Sequence, residues 1–98
     1  MSDTRHGTMP TDRPARYAKQ LGGHWGSKGT VEQSDAATVI TFDSGQVVTM
    51  TPQVDRLDVT ITVPEGGDAD RFAEVVAAHL ERFGQRDELH VEWESAAP

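Results

Sequence analysis

The segment from Arg56 to Val63 alternates strictly between apolar and polar side chains, and this alternation limits the folds that the chain can adopt. The apolar positions are Leu57, Val59, Ile61 and Val63. Because successive side chains of a β-strand point to opposite faces of the sheet, the pattern predicts a strand with one buried and one solvated face. The helices of the chain are therefore expected to cover only one face of the sheet.

Other strands are predicted from runs of β-branched residues that are bounded by turn signals. We expect strands at residues 30–33, 38–42, 46–51 and 56–63, and a last strand at residues 89–93. The turn sequence Asp43-Ser44-Gly45 joins the second and third of these as a hairpin. Successive strands with short connections form an antiparallel meander.

Two amphipathic helices are predicted, one at residues 13–25 and one at residues 70–83. On the inner face of the first helix, the spacing places Tyr17, Leu21, His24 and Trp25. On the inner face of the second helix, it places Phe72, Val75, Val76, His79 and Phe83. Each helix thus brings one histidine toward the predicted core.

Together these elements predict a single α+β domain, a two-layer sandwich in which an antiparallel sheet of four to five strands carries two helices on one face. The predicted element order is α-β-β-β-β-α-β. The domain is expected to span residues 13–94, between a disordered N-terminal tail at residues 1–12 and a C-terminal tail at residues 95–98.

The composition excludes several classes of protein. The chain has no cysteine, which rules out disulfides and thiolate chemistry. No apolar run reaches the roughly 20 residues of a membrane-spanning helix, so no membrane partner is expected. Residues 1–12 lack the apolar region of a secretory signal. These features predict a cytoplasmic location.

The charge is unevenly distributed along the chain. The net charge is −7, but residues 1–28 carry +3 and residues 29–98 carry −10. A nucleic-acid-binding surface needs a strong excess of cations to neutralise phosphates, so no nucleic-acid partner is expected. The basic first helix either packs against acidic parts of its own chain or presents a cationic face to a small anionic ligand.

His24 and His79 are the imidazoles predicted on the inner helix faces. If the helices lie side by side, the two rings can approach each other and hold a metal ion or a haem iron. Most metal sites have three or four ligands, however, and the alternative is that each ring makes hydrogen bonds at the edge of the core. We therefore predict no metal site beyond this two-histidine candidate, and we assign no cofactor.

Two further pairs of residues have ligand-binding chemistry. Arg16 and Arg86 can clamp a carboxylate or phosphate, because a guanidinium group is a forked donor. The alternative is that they pair with acidic neighbours such as Glu81, Asp87 and Glu88. Trp25 and Trp93 can stack on a flat ligand or, alternatively, fill the core.

The sequence contains no complete catalytic constellation. Glu92 and Glu94 are expected to face solvent without a partner base, which makes them poor general acids. No serine lies in a nucleophile elbow, and no glycine-rich phosphate loop is present. These absences favour a binding domain over an enzyme.

Separated motifs in a fixed order give the chain a family resemblance. They are Arg16-Tyr17-x-x-Gln20-Leu21-x-x-His24-Trp25, Phe42-Asp43-Ser44-Gly45, His79-Leu80-Glu81-Arg82-Phe83-x-x-Arg86 and Val91-x-Trp93. In this combination, residues 13–93 resemble an uncharacterised bacterial family, domain of unknown function 2218. Some members of that family occur beside, or fused to, siderophore-interacting flavin reductases, so the resemblance implies a role in iron acquisition. The candidate ligand-binding residues are Arg16, Tyr17, Gln20, His24, Trp25, His79 and Arg86.

We therefore expect a small bacterial binding or accessory domain, linked to iron or siderophore acquisition by resemblance only. Its expected partner is a small anionic ligand or an iron-uptake protein. The alternatives are a small enzyme or ligand sensor with a pocket between helices and sheet, and a homodimeric interaction module. A buried cavity holding both histidines and Arg16 would favour the enzyme, and an exposed apolar sheet face would favour the homodimer.

Overall fold

The computed structural model describes residues 3–34, 36–85 and 88–94. Its eight elements follow the order β-α-β-β-β-β-α-β. They are β1 (Asp3–Pro10), α1 (Pro14–Trp25), β2 (Gly29–Gln33), β3 (Thr38–Phe42), β4 (Val47–Pro52), β5 (Arg56–Val63), α2 (Ala69–Phe83) and β6 (Glu92–Trp93). Both helices and the four strands of the predicted meander are confirmed within one residue at each end.

The strands form one antiparallel sheet in the order β2-β3-β4-β5-β1-β6. β2 to β5 form the predicted meander, and the β3–β4 turn contains Gly45 at a positive φ of 94°. The predicted α+β class is confirmed, but the sheet has six strands rather than four to five. The predicted last strand at residues 89–93 is shortened to Glu92–Trp93, although Leu89 and Val91 still pack against the core.

The prediction of a disordered tail at residues 1–12 is wrong for residues 3–10, which form β1. This strand pairs with β5 along its whole length, from Asp3 opposite Val63 to Pro10 opposite Arg56. The domain therefore includes residues 3–10 rather than beginning at residue 13. The polar composition misleads because this strand contributes backbone hydrogen bonds and one fully buried side chain, that of Met9, rather than an apolar face. The predicted C-terminal tail at residues 95–98 lies outside the described residues.

Both helices pack on one face of the sheet, as predicted, and the core lies between the two layers. From α1 the buried side chains include Tyr17, Leu21 and Trp25; from α2 they include Phe72, Val76 and Leu80; from β5 they are Leu57, Val59, Ile61 and Val63. The predicted burial is wrong for two inner-face residues, because His24 is exposed and Val75 is 37% exposed. Both lie at the border of the apolar stripe, which covers only part of a helix circumference.

The other face of the sheet is rich in threonine. Cross-strand hydrogen bonds join Thr4 Oγ1 to Thr62 Oγ1 at 3.3 Å and His6 Nδ1 to Thr60 Oγ1 at 3.1 Å. An exposed apolar sheet face would have favoured a homodimer, and this face does not have that character. Neither helix in the described part of the chain is long and apolar enough to cross a membrane.

Candidate ligand-binding groove

A groove runs between α1 and α2 on the side of the helices that faces away from the sheet. Its walls are residues spaced three or four positions apart, which places them along one side of each helix. On α1 this side carries Arg16, Gln20 and His24, and on α2 it carries His79 and Arg82. The groove thus follows directly from helical periodicity once the two helices lie side by side.

One part of the groove, which we call the arginine groove, encloses about 470 Å³. Its lining residues are Arg13, Arg16, Tyr17, Gln20, Arg82, Phe83 and Gln85. Three guanidinium groups, two amides and a phenol thus surround this space. All of these groups can donate hydrogen bonds, and a guanidinium can donate two in parallel to a carboxylate or phosphate.

The cations of the arginine groove lack carboxylate partners within the described residues. No acidic side chain there lies within ion-pairing distance of Arg13, Arg16 or Arg82. Glu81, one proposed partner of Arg16, instead accepts a hydrogen bond from the Val91 N–H at 3.0 Å. Of the two interpretations of the basic first helix, the described residues therefore favour the cationic face over internal ion pairing.

The second part, which we call the histidine cleft, encloses about 340 Å³. Its lining residues are His24, Ala78, His79, Arg82 and Phe83. Because Arg82 and Phe83 also line the arginine groove, the two parts are adjacent. The centroids of the His24 and His79 rings are 5.0 Å apart, and the planes are tilted by 49°.

His79 is held in place by its neighbours. Its Nδ1 lies 2.7 Å from the carbonyl oxygen of Val75, and its ring centroid is 4.8 Å from that of Trp25. Because a carbonyl only accepts hydrogen bonds, Nδ1 carries the proton and donates it. In the neutral ring, Nε2 then presents its lone pair.

The structure brings together most of the residues that the sequence singles out. Arg16, Tyr17 and Gln20 line the arginine groove, and His24 and His79 line the histidine cleft. Trp25 is different, because it is only 5% exposed and packs edge-on against Phe42 at 5.3 Å between centroids. The indole fills the core, which is the alternative given for it above, and it is not among the residues that line either part of the groove.

Of the two remaining candidates, one cannot be placed and the other lies at an edge of the sheet. Arg86 lies outside the described residues. Trp93 is placed in β6, at the far edge of the sheet, where its ring covers Gly7. A Cβ at Gly7 would lie 2.6 Å from the Trp93 ring, so this indole serves packing at the sheet edge.

Four residues that line the arginine groove are not among the candidates from the sequence: Arg13, Arg82, Phe83 and Gln85. Helical spacing contains the signal that would have found the arginines. Arg13 precedes Arg16 by three positions, and Arg82 follows His79 by three positions.

A larger depression, about 670 Å³, lies on the threonine-rich face of the sheet. Its cation, Arg56, is already paired, with Nε 3.0 Å from Asp58 Oδ1 and Nη1 3.2 Å from Asp55 Oδ1. The hydrogen bond and charge of Asp58, aided by Asp55, raise the pKa of the Arg56 guanidinium. Because the positive charge of Arg56 is already paired with two carboxylates, this depression has less capacity to bind an anion than the arginine groove.

Fold and groove together define a small two-layer α+β domain with a cationic groove between its helices. The chain belongs to the family described as an uncharacterised protein conserved in bacteria, DUF2218, whose model matches residues 6–94. It is also similar to the NMR structure of PA4090 from Pseudomonas aeruginosa. The two share 28% identity with a TM-score of 0.72, over 98% of this chain and 100% of that chain. Among curated proteins, no match is found.

Proposed function

We propose that this domain binds a small molecule carrying a carboxylate or phosphate group in the arginine groove. The observation that carries the proposal is the set of three arginines, Arg13, Arg16 and Arg82, that face one space without carboxylate partners in the described residues. A guanidinium cluster with no carboxylate partner among the described residues concentrates positive potential at one place, in a chain of net charge −7. The volume of about 470 Å³ is within the range of small-molecule sites.

The association of some family members with siderophore-interacting reductases extends the proposal to one ligand class. Siderophores that bear carboxylates, free or iron-loaded, present the anionic groups that forked guanidinium donors recognise. In this form of the proposal, the domain is an accessory module that holds such a ligand during iron acquisition. An iron-uptake protein would then be the partner that delivers or receives it.

Binding is favoured over catalysis by the arrangement of the histidines and Arg16. The enzyme alternative calls for a buried cavity that contains both imidazoles and this arginine. Instead, His24 is exposed at the cleft, and Arg16 lines the adjacent arginine groove. The two imidazoles, which are the candidate bases, therefore do not share an enclosed cavity with Arg16.

The proposal is tested by NMR titration of ¹⁵N-labelled protein with citrate, inorganic phosphate and a gallium-loaded carboxylate siderophore. Shifts are expected for residues of the arginine groove. Arg16→Gln and Arg82→Gln should each weaken binding about tenfold, because each removes a charge-assisted hydrogen bond.

Lys19→Gln on α1 and Arg71→Gln on α2 serve as matched controls. Both residues are exposed and neither lines the groove, yet each variant removes one positive charge from the same helix. Equal weakening by the controls would indicate nonspecific attraction. Shifts confined to the threonine-rich face of the sheet would contradict the proposed location.

A further inference from the structure

We propose that His24 and His79 form a two-histidine site for a divalent transition-metal ion such as Zn²⁺, Ni²⁺ or Cu²⁺, with coordination positions left open for the anionic ligand of the groove. The metal site requires only the two imidazoles as protein ligands. The part played by the anion rests on the function proposed above.

The first support is the distance between the rings. With metal–nitrogen bonds of about 2.0–2.1 Å, two imidazoles on one ion at angles of about 90–110° place their centroids about 4.5–5.2 Å apart. The centroids of His24 and His79 are 5.0 Å apart. The rings therefore already have the separation that shared coordination requires.

The second support is the hydrogen bond from His79 Nδ1 to the Val75 carbonyl oxygen, 2.7 Å long. Metal-binding histidines commonly donate their other ring N–H in this way, which fixes the tautomer and the ring orientation. Here the bond holds the Nδ1 proton and leaves the Nε2 lone pair for a ligand bond. The 4.8 Å contact with the Trp25 ring restrains the imidazole further.

The third support is the exposure of the two rings. His24 is exposed and His79 is half-buried, so an ion can enter from solvent without any rearrangement of the core. Imidazole nitrogen is a ligand suited to zinc, copper and nickel.

The composition of the cleft limits how the ion is held. Among the described residues, no group of three or more His, Asp, Glu or Cys side chains is placed to bind one ion. Two protein ligands thus leave at least two positions of a four-coordinate ion open. Arg82, which lines both the cleft and the arginine groove, opposes a bare cation but attracts an anion. A carboxylate or phosphate beside Arg82 therefore offsets this repulsion and supplies the missing ligand oxygen.

The experiment is a calorimetric titration of the untagged full-length chain with Zn²⁺ or Ni²⁺, with and without acetate as the anion. One ion per chain is expected, and His24→Ala and His79→Ala should each weaken binding by about tenfold or more, since each removes one of two protein ligands. His6→Ala and His90→Ala are matched controls, because these exposed histidines lie outside the cleft. Binding that is lost in a control variant, or that is unchanged in both cleft variants, overturns the proposal.

An NMR measurement on the unaltered chain removes any dependence on variant folding. Saturating Zn²⁺ should shift the Nε2 resonance of His79 and one ring-nitrogen resonance of His24, while the Nδ1–H of His79 persists. Unshifted cleft imidazoles at saturation overturn the site.

The acetate arm separates the two proposals. Reciprocal coupling requires that acetate strengthen metal binding in the wild type, and that the effect disappear in Arg82→Gln. Metal binding at the histidines without an acetate effect supports the metal site and overturns the part given to the anion, whereas the arginine groove is tested by the anion titration described above. Anion binding to the arginines without metal binding at the histidines supports the anion groove and overturns the metal site.

Discussion

The Glu81 carboxylate accepts a hydrogen bond from the backbone N–H of Val91, with Oε2 and N 3.0 Å apart. The same oxygen lies 3.8 Å from His90 Nδ1. This contact fastens the chain that follows α2 to the helix itself. It thereby positions Val91 in the core and Trp93 on the sheet edge, although β6 is only two residues long.

Glu81→Ala should therefore lower the free energy of unfolding by about 1–3 kcal/mol, because a part-buried backbone N–H loses its acceptor. Glu81→Gln should lose less, since the amide oxygen can still accept the bond. Chemical denaturation measures the stability, and hydrogen exchange at the Val91 amide reports the local effect. Glu74→Ala, an exposed substitution on the same helix, is the control and should leave Val91 exchange unchanged.

The core substitutions Leu21→Ala and Phe72→Ala, together with Tyr17→Ala, should each destabilise the domain by about 2–5 kcal/mol. Leu21 is fully buried, and Tyr17 and Phe72 are 5% and 8% exposed. Val54→Ala is the matched control, because Val54 is 97% exposed and its truncation leaves no cavity. Thermal melts decide the question, and unchanged melting temperatures in all three core variants would contradict the placement of the helices on the sheet.

Gly22 and Gly23 give a paired test of helix packing. A Cβ on Gly23 would meet nothing within 4 Å, so Gly23→Ala should stabilise α1 by about 0.5–1 kcal/mol through helix propensity. A Cβ on Gly22 would approach Thr38 Cγ2 at 3.2 Å and Val31 Cγ1 at 3.3 Å. Gly22→Ala should thus be the less stable of the two variants. Equal denaturation midpoints would show that α1 does not approach β2 and β3 this closely.

Asp68 caps α2, because its Oδ1 accepts a hydrogen bond from the Arg71 N–H at 3.1 Å. Asp68→Ala should cost about 1 kcal/mol of stability, while Asp68→Asn keeps the acceptor and most of the stability. Urea denaturation of both variants measures the difference. If the two substitutions were equally destabilising, the carboxylate charge rather than the cap bond would be responsible.

Local periodicity accounts for the parts of the fold that the sequence predicts. The alternation around Val59 and the helical spacing around Leu21 and Val76 each encode one buried face, so strand and helix limits follow within about one residue. The same spacing explains why Arg16, Gln20 and His24 meet His79 in one groove. The antiparallel two-layer arrangement then follows from burying those faces against each other.

The failures arise where a residue's position depends on a distant segment. β1 has no apolar periodicity. Its strand conformation comes from backbone pairing with β5, and the composition of residues 3–10 does not predict that pairing. Trp25 and His24 are neighbours in sequence, yet Trp25 is buried and His24 is exposed. The buried face covers only part of the circumference of α1, and its border lies between these two side chains. Arg82 enters the site only through the relative placement of the helices.

The place of β1 between β5 and β6 has a consequence for synthesis of the chain on the ribosome. β1 emerges first, but its partner β5 is not complete until Val63 has been made, about 3–10 seconds later at ordinary elongation rates. Until β5 is complete, the backbone N–H and C=O groups of β1 have no strand partner, and an apolar strand in this state would pair readily with other chains. Residues 3–10 contain Met9 as their one large apolar side chain. The polarity that makes β1 resemble a disordered tail therefore also makes it a poor template for pairing with other chains while β5 is being synthesised.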